Sequence, residues 1–219
     1  MTDVDLLQRF DPTEPDKNKN MEIEVKFYLT VAELAAMAAT LDKIGAILSA
    51  PRVYERNIRY ENASYSLTEA HKVIRLRQDS RTRLTYKEPS QTLLSGMQAR
   101  TELEVTVSDF DTMDLILGKL GYFPAWEYEK YRTTYDWHGA EIVLDELPYG
   151  YFVEIEGSSA QIEAAILALS LGKQPRIKSS YSDLFFQLKT RLGLKFIHLT
   201  FDNFRNVTLP DNPNGWLMV

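Results

Sequence analysis

The sequence predicts an α+β protein: a curved sheet of about eight strands closed into a barrel with a charged lumen, with about four helices packed outside. Three observations predict it. Charged residues recur at every second position of strand-like segments, beginning with Glu22, Glu24 and Lys26 opposite Ile23, Val25, Phe27 and Leu29. Each helix-like segment carries one apolar stripe that needs cover. The broad apolar surface able to cover it is the other face of those same strands. Helices therefore lie outside, and the charged face is left pointing in.

The elements follow in order. Residues 1–20 form an extension in which Asp11–Asn20 is polar and holds two Pro, while Val4, Leu6, Leu7 and Phe10 can pack as one helical turn. A strand covers Glu22–Leu29. Thr30 with Glu33 is a capping box, and Leu34, Met37, Ala38, Leu41 and Ile44 give a helical stripe that Gly45 ends. A β-type segment spans Arg52–Tyr60, and Glu61–Ala70 reads as a loop. Lys72–Gln78 and Thr82–Glu88 are strands joined by a turn at Asp79–Arg81. The Ser/Gln/Gly loop Pro89–Gln98 leads to a strand at Arg100–Val107, then a helix over Asp111–Leu120. Strands follow at Tyr128–Trp137, Glu141–Asp145 and Tyr151–Glu156, with tight turns at His138-Gly139 and Leu147–Gly150. Ser158 with Gln161 is a second capping box, opening a helix to Leu169. A last helix covers Ser179–Leu192, and Trp216 is the expected anchor of the aromatic tail beyond it.

No composition break divides the chain after Met21. The expected organisation is an N-terminal extension at 1–20, a barrel domain at 21–192 and a tail at 193–219 packed on it. The 44% apolar content of the 219 residues suffices for a sizeable core. The absence of Cys excludes disulfides and thiolate metal sites, and three His (His71, His138, His198) disfavour a histidine-built zinc site. A net charge of -6 disfavours a stable nucleic-acid partner. No apolar run reaches about 18 residues, so no membrane span is expected. Residues 1–20 lack the basic-then-apolar pattern of a secretion signal, which favours the cytoplasm.

The charges segregate by strand. Glu22, Glu24, Glu102, Glu104, Asp145, Glu154 and Glu156 form an acidic set; Lys26, Arg75, Arg77, Lys87, Lys130 and Arg132 form a basic one. A solvated face would more often mix Ser, Thr, Gln and Lys. Crowded carboxylates repel and raise one another's pKa values, and divalent cations relieve that repulsion. All-oxygen ligands suit Mg²⁺ or Mn²⁺. The basic set wants an anion, and the Arg fork suits phosphate. Together the two sets describe a polyphosphate chelated by metal. Mutual salt bridging without a ligand is the bland alternative, but buried ion networks cost desolvation and stabilise poorly.

These residues resemble the CYTH domain family, also called triphosphate tunnel metalloenzymes. Its Glu-x-Glu-x-Lys hallmark is Glu22-Ile23-Glu24-Val25-Lys26 here. Arg75-Leu76-Arg77, Thr85-Tyr86-Lys87, Glu102-Leu103-Glu104, Glu129-Lys130-Tyr131-Arg132, Asp145, Glu154-Ile155-Glu156 and Lys178-Ser179-Ser180-Tyr181 follow in the family's order. Arg59-Tyr60-Glu61 approximates the family's aromatic-Asp pair. The resemblance covers about Met21–Leu192 and implies an eight-stranded antiparallel barrel forming a tunnel. It implies that Glu22, Glu24, Glu154 and Glu156 bind metal, with Asp145, Glu102 and Glu104 completing the acidic side. It implies that Lys26, Arg75, Arg77, Lys87, Lys130, Arg132 and Lys178 bind triphosphate, with Arg56 a further candidate. Glu22, Glu24, Lys26 and Lys87 form the implied catalytic set, with Mg²⁺ or Mn²⁺ as cofactor.

The activity expected from the resemblance is metal-dependent hydrolysis of inorganic triphosphate, thiamine triphosphate or a nucleoside triphosphate. The alternatives are a class IV adenylate cyclase, forming cyclic AMP and pyrophosphate from ATP, and a non-catalytic polyphosphate-binding module. The cyclase branch tends to carry a His-Phe pair, and none occurs here. Tyr149, Tyr151 and Phe152 are read as core or rim packing in preference to stacking on a substrate ring. The stripe Leu184–Leu188–Leu192 serves either a homodimer or the protein's own barrel.

Overall fold

The structure, a computed structural model, describes residues 21–90 and 98–210. The extension at 1–20, most of the Ser/Gln/Gly loop and Trp216 lie outside the described residues. Eight strands run β1 (Met21–Leu29), β2 (Ile47–Asn62), β3 (Val73–Gln78), β4 (Thr82–Pro89), β5 (Gln98–Val107), β6 (Tyr122–Trp137), β7 (Ala140–Leu147) and β8 (Gly150–Glu156). They close into an all-antiparallel ring in the order β1-β5-β4-β3-β2-β6-β7-β8. Six helices accompany them among the described residues: α1 (Val31–Lys43), α2 (Ser66–Glu69), α3 (Phe110–Lys119), α4 (Ser159–Ala168), α5 (Tyr181–Leu192) and α6 (Phe201–Phe204).

Both expected capping boxes form, at Thr30/Glu33 and Ser158/Gln161, and a third opens α5 at Ser180/Asp183. The outward faces of β1, β7 and β8 bury Val25, Phe27, Ile142, Leu144, Val153 and Ile155 against Met37 and Leu41 of α1 and Ile162, Ala165 and Ile166 of α4. Leu41 is fully buried there, so Leu41→Ala would cost about 2–5 kcal/mol. On the other side, α3 lays Phe110 and Leu117 over Ile58, Tyr60 and Leu76. Helices outside and charge inside is the expected arrangement.

Several boundaries moved. β2 and β6 are both 16 residues, longer than the sequence pattern indicated. Pro51 and Pro124 sit inside them, each beside a register shift in the β2–β6 ladder, where a proline's missing N–H does no harm. His138 and Gly139 both take positive φ, 52° and 80°, which gives the β6–β7 hairpin a turn twisted in the same sense as its strands. Glu61, expected in a loop, is the penultimate residue of β2 and accepts from Leu67 N, Thr68 N and Thr68 Oγ1, which pins the short helix α2.

The ring is pinched unevenly. β1 pairs with β5 only over Met21–Glu24. Beyond that, Ile177 takes the free edge of β1, its N–H donating to Lys26 O at 2.8 Å. The chain then enters α5 across that end of the ring. Leu184, Phe185 and Leu188 of α5 are buried with Trp126, Tyr128, Tyr149 and Phe152, and Leu192 packs on the same cluster. The leucine stripe is thus spent on the protein's own barrel. Tyr149 and Phe152 are core residues, as read from sequence. Phe196, Leu199 and Phe204, after α5, pack on this cluster as well.

Candidate functional site

Strand alternation turns one side chain in two toward the lumen, and the ring brings these rows together around a cavity of about 410 Å³. Glu22, Glu24 and Lys26 line it from β1, Arg75 and Arg77 from β3, and Lys87 from β4. Glu102 and Glu104 line it from β5, Lys130 and Arg132 from β6, and Glu154 and Glu156 from β8. These segments are far apart in sequence and meet only through closure of the ring.

Three expected residues stand elsewhere. Arg56 points outward from β2: its Nε bonds Glu127 Oε1 at 2.6 Å and its guanidinium lies over Phe110. The correction has a simple reason, since Arg56 shares its face with Ile58 and Tyr60, which carry the outer core. Lys178 is exposed before α5 and lies outside the cavity lining. Asp145 is fully buried beneath the bases instead of standing with the other acids. It accepts from Lys130 Nζ (2.9 Å), Arg132 Nε (2.7 Å), Arg132 Nη2 (2.5 Å) and the Tyr181 hydroxyl (2.9 Å).

Sequence reasoning missed several lumen residues. Glu55 and Asn57 lie buried on the inward face of β2, and Arg59, Arg83, Arg100, Tyr128, Glu141, Ser180, Tyr181 and Ser182 join the lining. The β2 residues were detectable, because Ile58 and Tyr60 mark the even-numbered face as the outer one. Glu141 was detectable as the position two before Val143 on the Asp145 face.

The electrostatics divide into two regions. In the first, Arg77 Nε bonds Asn57 Oδ1 (3.2 Å) and Arg77 pairs with Glu55 at 3.5 Å, as does Lys130. Arg75 donates to Tyr128 Oη and Thr85 Oγ1, both at 3.2 Å. Lys26 and Arg132 pair with Glu154 at 3.1 and 2.7 Å. Burial alone would raise the Asp145 carboxyl, but Arg132 and Lys130 hold it far below the usual range. Arg77 is the strained cation: burial, then the like charge of Arg75, lower its pKa. The hydroxyl of Tyr128 is lowered despite burial, because Arg75, Lys130 and Arg77 surround it.

The second region is acidic. Glu141, Glu156 and Glu24 are direct cross-strand partners on β7, β8 and β1, forming one row of carboxylates. Glu22 and Glu102 flank it, sharing Lys87 at 2.6 Å each. Burial, then the charges of Glu22 and Glu141, push Glu156 up to about 8. Burial, then Glu154, raises Glu24. Among the described residues neither Glu24 nor Glu156 has a cation within salt-bridge distance. Hard oxygen donors under mutual repulsion fit Mg²⁺ or Mn²⁺. Among the described residues no three acids form a ready-made coordination cluster.

Comparisons with known proteins bear on this site. The model of the CYTH domain matches residues 20–174. A candidate adenylate cyclase of Methanocaldococcus jannaschii is 25% identical over 174 residues, 74% of this chain and 98% of its own. The solved structure of a candidate adenylate cyclase from Vibrio parahaemolyticus superposes with a TM-score of 0.63 at 18% identity, covering 76% of this chain and 98% of that one. HpAC1 from Hippeastrum, a candidate adenylyl cyclase described as having a dominant triphosphatase activity, superposes with a TM-score of 0.59 at 17% identity, covering 75% and 95%. At these identities the two structures establish a common fold. No helix of the described residues is long and apolar enough to cross a membrane.

Proposed function

The chain belongs to the CYTH domain family, and from that premise we propose that it is a divalent-metal-dependent hydrolase of triphosphate-containing small molecules. The observation that carries the reading is the coexistence, in one cavity, of two crowded guanidinium groups, Arg75 and Arg77, and of carboxylates without a cation at salt-bridge distance. Arg77 is depressed by burial and Arg75, while Glu156 is pushed up to about 8 by burial and its acidic neighbours. A metal-chelated polyphosphate satisfies both at once. A lone anion would meet the acidic row, and a lone metal would leave the repulsion between Arg75 and Arg77 in place.

In this reading Glu22, Glu24, Glu154 and Glu156, with Glu102, Glu104 and Glu141 beside them, would hold Mg²⁺ or Mn²⁺. The metal supplies Lewis acidity, neutralising phosphate charge and lowering the pKa of bound water. Lys26, Arg75, Arg77, Lys87, Lys130 and Arg132 hold the phosphoryl oxygens and stabilise charge as the terminal P–O bond opens. Asp145 and Glu55 are positioning residues that fix Lys130, Arg132 and Arg77 before substrate arrives. The fully buried Asp145 excludes solvent from that contact, so the base geometry costs little to hold during reaction. The functional unit runs over 21–192, because α5 contributes Tyr181 to the Asp145 network.

The second reading is a class IV adenylate cyclase, favoured by the description of the Methanocaldococcus jannaschii relative. The missing His-Phe pair weighs against it. Product analysis separates the two. The protein is incubated with Mg²⁺ or Mn²⁺ and, separately, tripolyphosphate, ATP and thiamine triphosphate. Orthophosphate as the new small anion, abolished by EDTA and restored by metal, supports the hydrolase. Cyclic AMP with equal pyrophosphate from ATP replaces it with the cyclase. Binding without turnover of any of the three leaves a polyphosphate-binding module.

A further inference from the structure

Beside the charged cavity lies a second chamber of about 620 Å³, within the range of small-molecule sites. The two share Arg59, Arg100, Trp126, Ser180 and Ser182 among their walls, so one opens beside the other. Their chemistry differs. The inner cavity is lined by paired charges, whereas the outer chamber adds aromatic surface from Phe186, Tyr65 and Trp126. We propose that this chamber seats the neutral heteroaromatic base of a nucleoside triphosphate whose phosphates occupy the inner cavity, an inference that rests on the triphosphate reading above.

Three observations carry it. Phe186 is 44% exposed although it sits on α5 with the buried Phe185, so its ring faces the chamber and not the core. Trp126 is its neighbour, ring centroids 5.9 Å apart at 40°; the indole is itself buried, stacked on Tyr128 at 4.8 Å with the Arg59 guanidinium over it, so it backs the wall and the ring surface open to a planar group is that of Phe186. Arg59 stands where the two spaces meet. Its Nη1 donates to Ser182 Oγ at 2.8 Å, and among the described residues no carboxylate lies within salt-bridge distance of it. It is therefore available to the phosphate that joins the base-bearing sugar to the rest of the chain. Arg59, Lys72 and Arg100 outnumber Glu61 and Asp183 in the chamber wall, so a cationic ring is less well accommodated than a neutral one. Inorganic triphosphate would leave the chamber unused.

The test uses two ligands that resist hydrolysis, β,γ-methylene-ATP and bis-methylene triphosphonate, titrated calorimetrically with Mg²⁺ present. The wild-type protein should bind the adenosine compound more tightly than the ring-free one. Phe186→Ala should narrow that preference about ten-fold, and Phe186→Tyr should retain it. Phe186 is half-exposed, so both variants should fold. A wild-type ratio near one, or equal weakening of both ligands by Phe186→Ala, overturns the base chamber. Binding of the triphosphonate alone overturns the chamber and leaves the triphosphate reading standing. Binding of neither compound overturns the triphosphate reading and this inference with it.

Discussion

Glu55→Gln tests whether the basic region is held by buried counter-charges. Glu55 is 1% exposed and sits 3.5 Å from both Arg77 and Lys130. Its Oε2 makes no hydrogen bond, so its contribution is chiefly one of charge. Burial by itself would raise the carboxyl, but Lys130, then Arg77 and Arg132, pull it from 4.5 down to about 2. A folded-state pKa below the unfolded one means stability that is present above the unfolded value and lost as pH falls toward the folded one. The gap corresponds to about 3 kcal/mol at pH 7, shrinking to about 1 kcal/mol at pH 3. Gln has the shape of the protonated acid without its charge, so the wild-type minus variant difference should follow that curve. Urea unfolding of both proteins at pH 7, 5, 4 and 3 measures it. Equal stability at pH 7, or a difference that stays constant down to pH 3, would refute the argument that Glu55 is an ionised partner of Arg77 and Lys130.

Other expectations concern turnover. Glu24→Gln should lower kcat about 100-fold or more while leaving the melting temperature equal or higher, because burial and Glu154 already disfavour its charge. A variant that keeps metal-dependent activity would remove Glu24 from the site. Arg77→Ala should raise KM about 10-fold or more through loss of a charge-assisted phosphate contact. Arg56→Ala should leave both constants near wild type, since Arg56 pairs with Glu127 on the outer face. Steady-state kinetics on the pair checks the facing of β2, and a large effect at Arg56 with none at Arg77 would reverse it.

What the sequence alone determined is what depends on near neighbours. A strand's side chains alternate by backbone geometry, so the inward rows Glu22-Glu24-Lys26, Arg75-Arg77, Glu102-Glu104 and Glu154-Glu156 were readable directly. A helix cap is decided within four residues, so Thr30/Glu33 and Ser158/Gln161 were readable too. β2 was misread because charge occurs on both of its faces, and only the apolar Ile58 and Tyr60 tell them apart. Tertiary structure decided which charge meets which. Arg132 faces Asp145 by the β6–β7 register, which pairs that acid with the bases. Glu24, Glu156 and Glu141 form one row only because β1, β8 and β7 are adjacent in the ring. Arg59 reaches Ser182 across 123 residues because α5 fills the end where β1 and β5 part. Alternation is a property of one strand, whereas register and closure arise between strands. The polarity of each face was therefore written locally, and the pairing that makes one region basic and the other acidic came from the closed ring.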